Sequence, residues 1–322
     1  MSAPSTTATA RVATAVVATA FGGPDVLAVV TTDVPAPGPG EVTVDVRAIG
    51  TNPVDHKLFS GLMGADASTL PRPVGMELAG VVSAVGERAG EVAVGDEVIV
   101  SGISGAYASA VTVPVSAVVP KPASASFEEA AGVMLVGGTA VHLLTATSVA
   151  AGDTVLVHGV AGSVGLVAAQ LALHRGASVV GTAAPHRHEA LRAFGIVPVA
   201  YGEGLADRVR AAAAGGVDVA LDTVGTDEAV DVSLELVADR DRIATIAAFG
   251  RAPEAGIRLL GGGPGADPGT DVRDGARPGL AAALGAGELT VVVARTFPLT
   301  EAAAALSFVA EGHAGGKVVL LP

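Results

Sequence analysis

Residues 154–165 read Thr-Val-Leu-Val-His-Gly-Val-Ala-Gly-Ser-Val-Gly. A β-branched apolar run stops at Gly159, glycines recur at 162 and 165, and a run of small residues, Leu166 to Leu173, follows. That order predicts a strand, a tight turn and a helix N-terminus. Bare backbone N–H groups and the positive end of the helix dipole would converge there, a seat for a pyrophosphate. A dinucleotide is the simplest occupant, and it implies redox chemistry. The spacing is G-x-x-G-x-x-G rather than G-x-G-x-x-G. The competing reading is a glycine-rich αβ turn that holds no ligand. The loop's place, after a strand and before a helix, favours the cofactor.

Outward from this loop, residues 153–260 alternate. Strands at 154–158, 178–182, 197–200 and 217–222 are followed by helices at 162–174, 187–194, near 205–214 and at 227–237. Strands at 242–248 and 257–260 close the series. Such alternation predicts a parallel, doubly wound sheet with the glycine loop on its first strand. Residues 11–120 read differently. Short Val-rich runs at 12–20, 26–30, 41–49, 79–85, 97–101 and 110–119 are separated by Gly/Pro turns, as in a compact barrel-like sheet. Ser126 and Glu129 have the spacing of a helix capping box. Residues 261–277 are the longest Gly/Pro/Asp stretch and read as a loop or mobile flap. Helix 278–286, strand 290–295, helix 299–311 and strand 317–321 complete the expectation.

Composition narrows the function. The chain has 322 residues, 50% hydrophobic and 16% charged, enough for two domains with a large core. A formal charge of −13 argues against nucleic acid or an anionic membrane as partner. With no cysteine, disulfides and thiolate metal sites are excluded. The histidines, at 56, 142, 158, 174, 186, 188 and 313, form no H-x-x-x-H or H-E-x-x-H pattern, so no metal is expected. The first ten residues have neither a basic start nor an apolar core and read as a frayed tail without a secretory signal. A cytoplasmic protein is expected.

After the second strand of the alternating series, an NAD site usually carries Asp or Glu for the ribose hydroxyls. Here the text is Thr182-Ala-Ala-Pro-His-Arg-His188, without an acid. Arg187 and His188 suit the 2′-phosphate of NADP(H), or they are solvated first-turn residues of the next helix.

The order of motifs resembles the medium-chain dehydrogenase/reductase superfamily, and within it the zinc-free NADPH quinone oxidoreductase, or zeta-crystallin-like, group. The matching text includes Gly22-Gly-Pro-Asp-Val-Leu27, Gly50-Thr-Asn-Pro-Val-Asp-His-Lys57 and Gly75-Met-Glu-Leu-Ala-Gly-Val-Val82. It continues through Val94-Gly-Asp-Glu-Val98, Gly138-Thr-Ala140, Gly152–Gly159, Val217–Gly225 and Gly312–Leu320. The resemblance implies an α/β protein: a GroES-like, partly open β-barrel catalytic domain and a doubly wound, parallel-sheet Rossmann domain. The expected divisions are 1–128 (catalytic), 129–264 (NADP-binding) and 265–322 (return to the catalytic domain). Zinc-dependent relatives carry a cysteine near Asn52; its absence here fits the metal-free branch.

By the same resemblance, NADP(H) delivers a hydride to a quinone or an α,β-unsaturated carbonyl. Asn52 and Thr139 are the expected donors beside the nicotinamide; otherwise Asn52-Pro53 is a simple turn and Thr139 a helix residue bonded to backbone. Asp55 and Lys57 are expected to pair and orient the loop, with a catalytic acid role for Lys57 as the lesser reading. Tyr107 is a family-motif residue whose alternative is a packed tyrosine with a satisfied hydroxyl. Gly159, Ala161, Gly162, Ser163, Val164, Thr182, Arg187, His188, Tyr201, Thr223, Ala247 and Phe249 are the expected cofactor contacts. Lys317 reaches the cofactor or stands on the surface. A homodimer is implied as well. The chain departs from its relatives in having Gly61-Leu-Met-Gly64 where a tyrosine is usual, Val141 after Ala140, and Leu306 in the late helix. A roomier, more aliphatic pocket follows, with solvent as a proton source. Two rivals remain: an enoyl thioester (acyl-CoA or polyketide) reductase, disfavoured by an acidic, Arg-poor first third, and a non-catalytic NADPH-binding sensor.

Overall fold

The computed structural model describes residues 11–62, 64–312 and 314–322. The tail at 1–10, Met63 and His313 lie outside the described residues. The chain divides into two compact units. Residues up to Leu135 join Val293–Pro322 in the first, and Val136–Val292 form the second.

The first unit opens with an antiparallel pair, β1 (Arg11–Ala18) and β2 (Leu27–Val34). Then follow β3 (Glu41–Gly50), helix α1 (Pro53–Phe59), β4 (Arg72–Pro73), β5 (Glu77–Val85), β6 (Glu97–Ser101), β7 (Ala110–Pro114) and β8 (Val118–Pro120). The expected run 110–119 is therefore two strands, broken by a turn at Val115–Ala117. Helix α2 (Phe127–Ala131) starts as expected: Glu129 N–H donates to Ser126 Oγ and Ser126 N–H to Glu129 Oε2. Helix α3 (Met134–Ala146) carries the chain into the second unit.

That unit strings together β9 (Thr154–His158), α4 (Ser163–His174), β10 (Ser178–Thr182), α5 (His188–Ala193), β11 (Val197–Val199), α6 (Leu205–Ala212), β12 (Val219–Asp222), α7 (Asp227–Leu236), β13 (Ile243–Thr245), α8 (Arg251–Ala255), β14 (Arg258–Leu259) and α9 (Thr270–Gly285). Its six strands are all parallel and lie in the order β11-β10-β9-β12-β13-β14. Counted from β9 this is 3-2-1-4-5-6, the doubly wound order. Its switch point falls between β9 and β12, and ligands of such sheets bind beyond the strands' carboxyl ends there. Leu156, Val180, Val199, Ala220 and Ile243 share one buried cluster with Leu205, Val209 and Val230 of α6 and α7.

The return to the first unit is β15 (Val293–Pro298), α10 (Ala302–Ala310) and β16 (Lys317–Leu321). β16 lies between β15 and β3, so the last strand completes a seven-stranded sheet of which β3, β5, β6, β7 and β8 are the rest. Its core includes Ile49, Leu78, Val100, Tyr107, Phe297, Leu306 and Leu320.

Two expectations are corrected. The stretch 261–277 is not one loop, because α9 begins at Thr270. Glycine and aspartate hid the helix, whereas Arg273 on its first turns anchors it to α3. The return also begins at 293 rather than 265. Residues between these points are tied into the second unit: Gln170 exchanges two hydrogen bonds with the backbone of Thr290, and Leu280 packs where a Cβ on Gly137 would stand.

Candidate functional site

The glycine loop sits where its sequence puts it. Gly159 ends β9 at φ +74°, and a Cβ there would run into Val224 and Thr223. Two threonines hold the turn: Gly159 N–H donates to Thr182 Oγ1 (3.1 Å), and Thr223 Oγ1 donates to the His158 carbonyl (2.7 Å). Gly165 packs so closely that a Cβ would stand 2.9 Å from Val160 Cα. Gly162 is the N-cap of α4, in extended conformation and with no side-chain cap. The first N–H groups of a twelve-residue helix are thus left for backbone, solvent or ligand.

All the expected cofactor residues but one fall along the carboxyl edge of the parallel sheet. Ala161, Ser163 and Val164 follow β9; Arg187 and His188 follow β10; Tyr201 follows β11; Thr223 follows β12; Ala247 and Phe249 follow β13. Tyr201 is exposed, and Arg187 is half-buried. A ring nitrogen of His188 meets the Ala183 carbonyl (Nε2, 3.1 Å), which ties that side chain to its own turn. Phe249 lies against Gly263, where a Cβ would meet its ring.

Asp222 and His158 complete the edge, and sequence reasoning passed over both. Asp222 is buried; its Oδ1 accepts from the N–H groups of Val224 and Gly225 (2.9 Å each) and its Oδ2 from Thr245 Oγ1 (2.7 Å). It shapes the turn after β12. His158 is paired in register with Thr182 and Asp222 on the two neighbouring strands. Burial drives its pKa from 6.5 down to about 4, against the pull of Asp222 and Glu228, so the ring is neutral at physiological pH. Its Nε2 is buried without a partner. An orphaned ring nitrogen, an uncapped helix and a Cβ-free turn at the switch point fit a dinucleotide cofactor.

Lys317 is the exception, and it does not stand on the surface. It lies in the first unit, its side chain is 3% exposed, and its ammonium donates to Glu77 Oε1 (2.8 Å), Asn52 Oδ1 (2.7 Å) and the Thr51 carbonyl (2.9 Å). All three donors are spent. Asn52 in turn donates from Nδ2 to Glu77 Oε1 (3.0 Å), and Glu77 Oε2 accepts the Leu135 N–H (2.8 Å). The amide orientation of Asn52 is therefore fixed from both sides. Glu77 was missed, although a lone acid inside Gly75-Met-Glu-Leu-Ala-Gly was the available signal for a buried, paired charge.

Asp55 belongs to the same cluster, and its expected pairing with Lys57 is not what the structure shows. Its Oδ2 accepts from Tyr107 Oη (2.9 Å) and Asn52 N–H (2.8 Å), its Oδ1 is buried without a partner, and Lys57 is exposed. Burial pushes its pKa from 3.8 up to about 7, against the hydrogen bonds from Asn52 and Tyr107 and the charge of Lys317. Tyr107 is fully buried, the packed tyrosine with a satisfied hydroxyl. Burial first, and the Asp55 carboxylate second, push its phenol upward.

Thr139 is buried on α3, in the second unit. Arg273 Nη1 reaches its Oγ1 at 3.4 Å, a neighbour the sequence did not suggest. Among the described residues no cluster of His, Asp or Glu could hold a metal ion, and no helix is long and apolar enough to cross a membrane.

A glycine turn on the first strand of a 3-2-1-4-5-6 sheet, in a chain whose last strand completes a separate antiparallel unit, is the architecture of two-domain, dinucleotide-dependent oxidoreductases. Comparison with known proteins makes this specific. Residues 38–123 match the alcohol dehydrogenase GroES-like domain, and residues 198–320 the zinc-binding dehydrogenase domain. Quinone oxidoreductase of Pseudomonas aeruginosa is 38% identical over 248 residues, 74% of each chain. The mouse synaptic vesicle membrane protein VAT-1 homolog is 38% identical over 220 residues, 65% of this chain and 53% of that one. The spectinabilin polyketide synthase system protein NorB of Streptomyces orinoci is 35% identical over 299 residues, 88% of this chain and 13% of that one. This chain therefore spans about half, or much less, of some of its curated relatives. Among solved structures, Escherichia coli quinone oxidoreductase complexed with NADPH aligns with a TM-score of 0.82 at 28% identity, covering 96% of this chain and 100% of that one. The CurK enoyl reductase gives 0.81 at 28%, covering 96% and 99%. The chain belongs to the medium-chain dehydrogenase/reductase superfamily of NAD(P)-dependent oxidoreductases, and quinone oxidoreductases are among its relatives.

Proposed function

We propose that this chain is an NADPH-dependent, zinc-independent reductase of quinones or α,β-unsaturated carbonyls. One observation carries the reading: the turn at Gly159, the uncapped start of α4 and the basic, acid-free segment after β10 lie on one sheet edge. Gly159, Ala161, Gly162, Ser163 and Val164 would hold the pyrophosphate through backbone N–H groups. Arg187 would face the 2′-phosphate, and Thr182 and Thr223 keep the turn rigid. When bound, the reduced nicotinamide supplies the hydride. The protein's part is to hold a donor for the oxygen that becomes negative, a role for Thr139 in the second unit. In the first unit the resemblance gives Asn52 a donor role, and Lys317 and Glu77 hold its amide in one orientation.

Quinone oxidoreductase relatives support small-molecule quinones as substrates. The polyketide synthase and enoyl reductase relatives support a second reading, reduction of an enoyl thioester. Steady-state oxidation of NADPH and NADH against benzoquinones, alkyl enones and crotonyl thioesters separates the two. The expected result is NADPH-linked turnover with the first two classes. Turnover confined to thioesters selects the second reading, and cofactor binding with no turnover selects a sensor. Arg187→Glu is expected to raise the Kd for NADPH about tenfold while sparing NADH, a change of about 1.4 kcal/mol. Equal weakening of both removes the 2′-phosphate assignment.

A further inference from the structure

Arg273 is an anomaly in the second unit. Its guanidinium is half-buried at the start of α9, and burial lowers its pKa. Buried cations are normally paired with a carboxylate. Among the described residues the guanidinium meets none. Its partners are neutral: Nε and Nη2 approach His142 Nδ1 at 3.4 and 3.3 Å, and Nη1 approaches Thr139 Oγ1 at 3.4 Å. A guanidinium has five N–H donors, and these two acceptors do not use them all.

The group is nevertheless held in place. His142 is 2% exposed, and its Nε2 lies 3.3 Å from Asp267 Oδ2. With Nε2 as the donor, Nδ1 is left as an acceptor toward Arg273. Burial, with the charge of Arg273 beside it, outweighs Asp267 and lowers the His142 pKa, so the neutral ring this arrangement needs is the favoured one. Asp267 is fixed by the Gly269 N–H on Oδ1 (2.9 Å). Gly269 sits at φ +56°, and a Cβ there would strike the His142 ring. Asp267, His142 and Arg273 thus form a file ending at the Thr139 hydroxyl, with its positive charge balanced only at one remove.

We propose that Arg273 is a catalytic electrophile that binds the substrate oxygen on which negative charge develops, and that it thereby selects quinones and enones whose carbonyl oxygen reaches Thr139. This rests on the reductase reading above. The substrate carbon takes up the hydride from the reduced nicotinamide, the π electron pair moves onto the carbonyl oxygen, and a proton from water completes the reduced product. A guanidinium hydrogen bond to that oxygen strengthens as its charge grows, more than one from a neutral hydroxyl does. Asp267 and His142 are positioning residues.

The test uses the full chain and its Arg273→Met and Arg273→Lys variants. Affinity for 4-nitrophenolate, a stand-in for the anionic product oxygen, is measured on the NADP+-saturated protein against the neutral 4-nitroanisole. Wild type is expected to prefer the phenolate, Arg273→Met to lose that preference, and Arg273→Lys to keep part of it. In turnover, Arg273→Met is expected to lower kcat about 100-fold with little change in KM for NADPH. A merely structural tie between α9 and α3 would leave the anion preference intact, and an unchanged preference or kcat in Arg273→Met overturns the proposal alone. Failure of wild type to bind NADPH or NADH overturns the reductase reading, and the proposal with it.

Discussion

The two units bury polar groups in opposite ways. In the first, Lys317, Glu77, Asn52, Asp55 and Tyr107 bond almost entirely to one another, with one carboxylate oxygen left over. In the second, the edge of the parallel sheet leaves groups open: an uncapped helix start and a neutral, buried histidine with one orphaned nitrogen. A closed network gives rigidity to the residues inside it, here Asn52. An open one costs stability and is kept where something else will satisfy it. On the proposed function, positioning falls to the first cluster and binding to the second.

The largest test of that contrast is Lys317→Met. It strands the Glu77 carboxylate, which is wholly buried, and is expected to cost about 3–5 kcal/mol of unfolding free energy. Glu77→Gln/Lys317→Met removes both charges and should return most of the loss, because a neutral pair needs no counter-ion. Urea titration of the three proteins decides it. A single-variant loss under about 1 kcal/mol would mean that water reaches the pair and that the network is not closed.

The next effect is one of sign. Asp55 takes up a proton more readily folded, at about 7, than at its ordinary 3.8. Between these values the folded state holds more protons, so this group's contribution to stability falls as pH rises from about 4 to about 7. His158 titrates at about 4 when folded and at 6.5 ordinarily. There the unfolded state holds more protons, and stability falls as pH drops from about 6.5 to about 4. The Asp55 window is worth about 4 kcal/mol and the His158 window about 3 kcal/mol. The opposed slopes mask each other in global unfolding. Asp55→Asn should uncover an acid-labile protein and His158→Gln an acid-stabilised one, and hydrogen exchange should trace the first change to the antiparallel unit and the second to the parallel one. Identical pH profiles in wild type and both variants would show that neither group is desolvated.

Much of this was legible in the sequence, and the reasons differ by region. Strands 154–158, 178–182 and 97–101 were readable to the residue because β-branched runs end at glycine or at a small polar residue. The strand–turn–helix form of the glycine loop was readable because its signals are local: backbone, spacing and position. The catalytic candidates were not, because their environment is assembled across long sequence separations. Lys317 meets Glu77 from 240 residues away, and Arg273 meets Thr139 from 134. Nothing near Lys317 reports that it is buried. Arg273 was hidden further, in a stretch whose glycines and aspartates read as loop until tertiary packing made a helix of it. The resemblance to a family named Asn52 and Thr139 without saying what holds them.

The smallest effect separates two neighbouring glycines. Gly165 is a packing glycine: a Cβ would press on the Gly159 carbonyl and on Val160 backbone, so Gly165→Ala is expected to cost about 1–3 kcal/mol. Gly162, on the proposed function, faces the ligand: its added Cβ would stand 3.3 Å from the nearest atom, the Gly159 carbonyl oxygen. Gly162→Asp puts a good capping residue at an uncapped helix start and should change stability by only a few tenths of a kcal/mol, in the favourable direction. On the proposed function the same carboxylate would occupy the N–H groups assigned to a pyrophosphate and repel it, so NADPH affinity is expected to collapse while the fold gains. Stability and binding moving in opposite directions at one residue is the signature of an open site. If Gly162→Asp keeps wild-type NADPH affinity, the loop is a structural αβ turn, and the contrast between a closed and an open cluster reduces to a difference in packing.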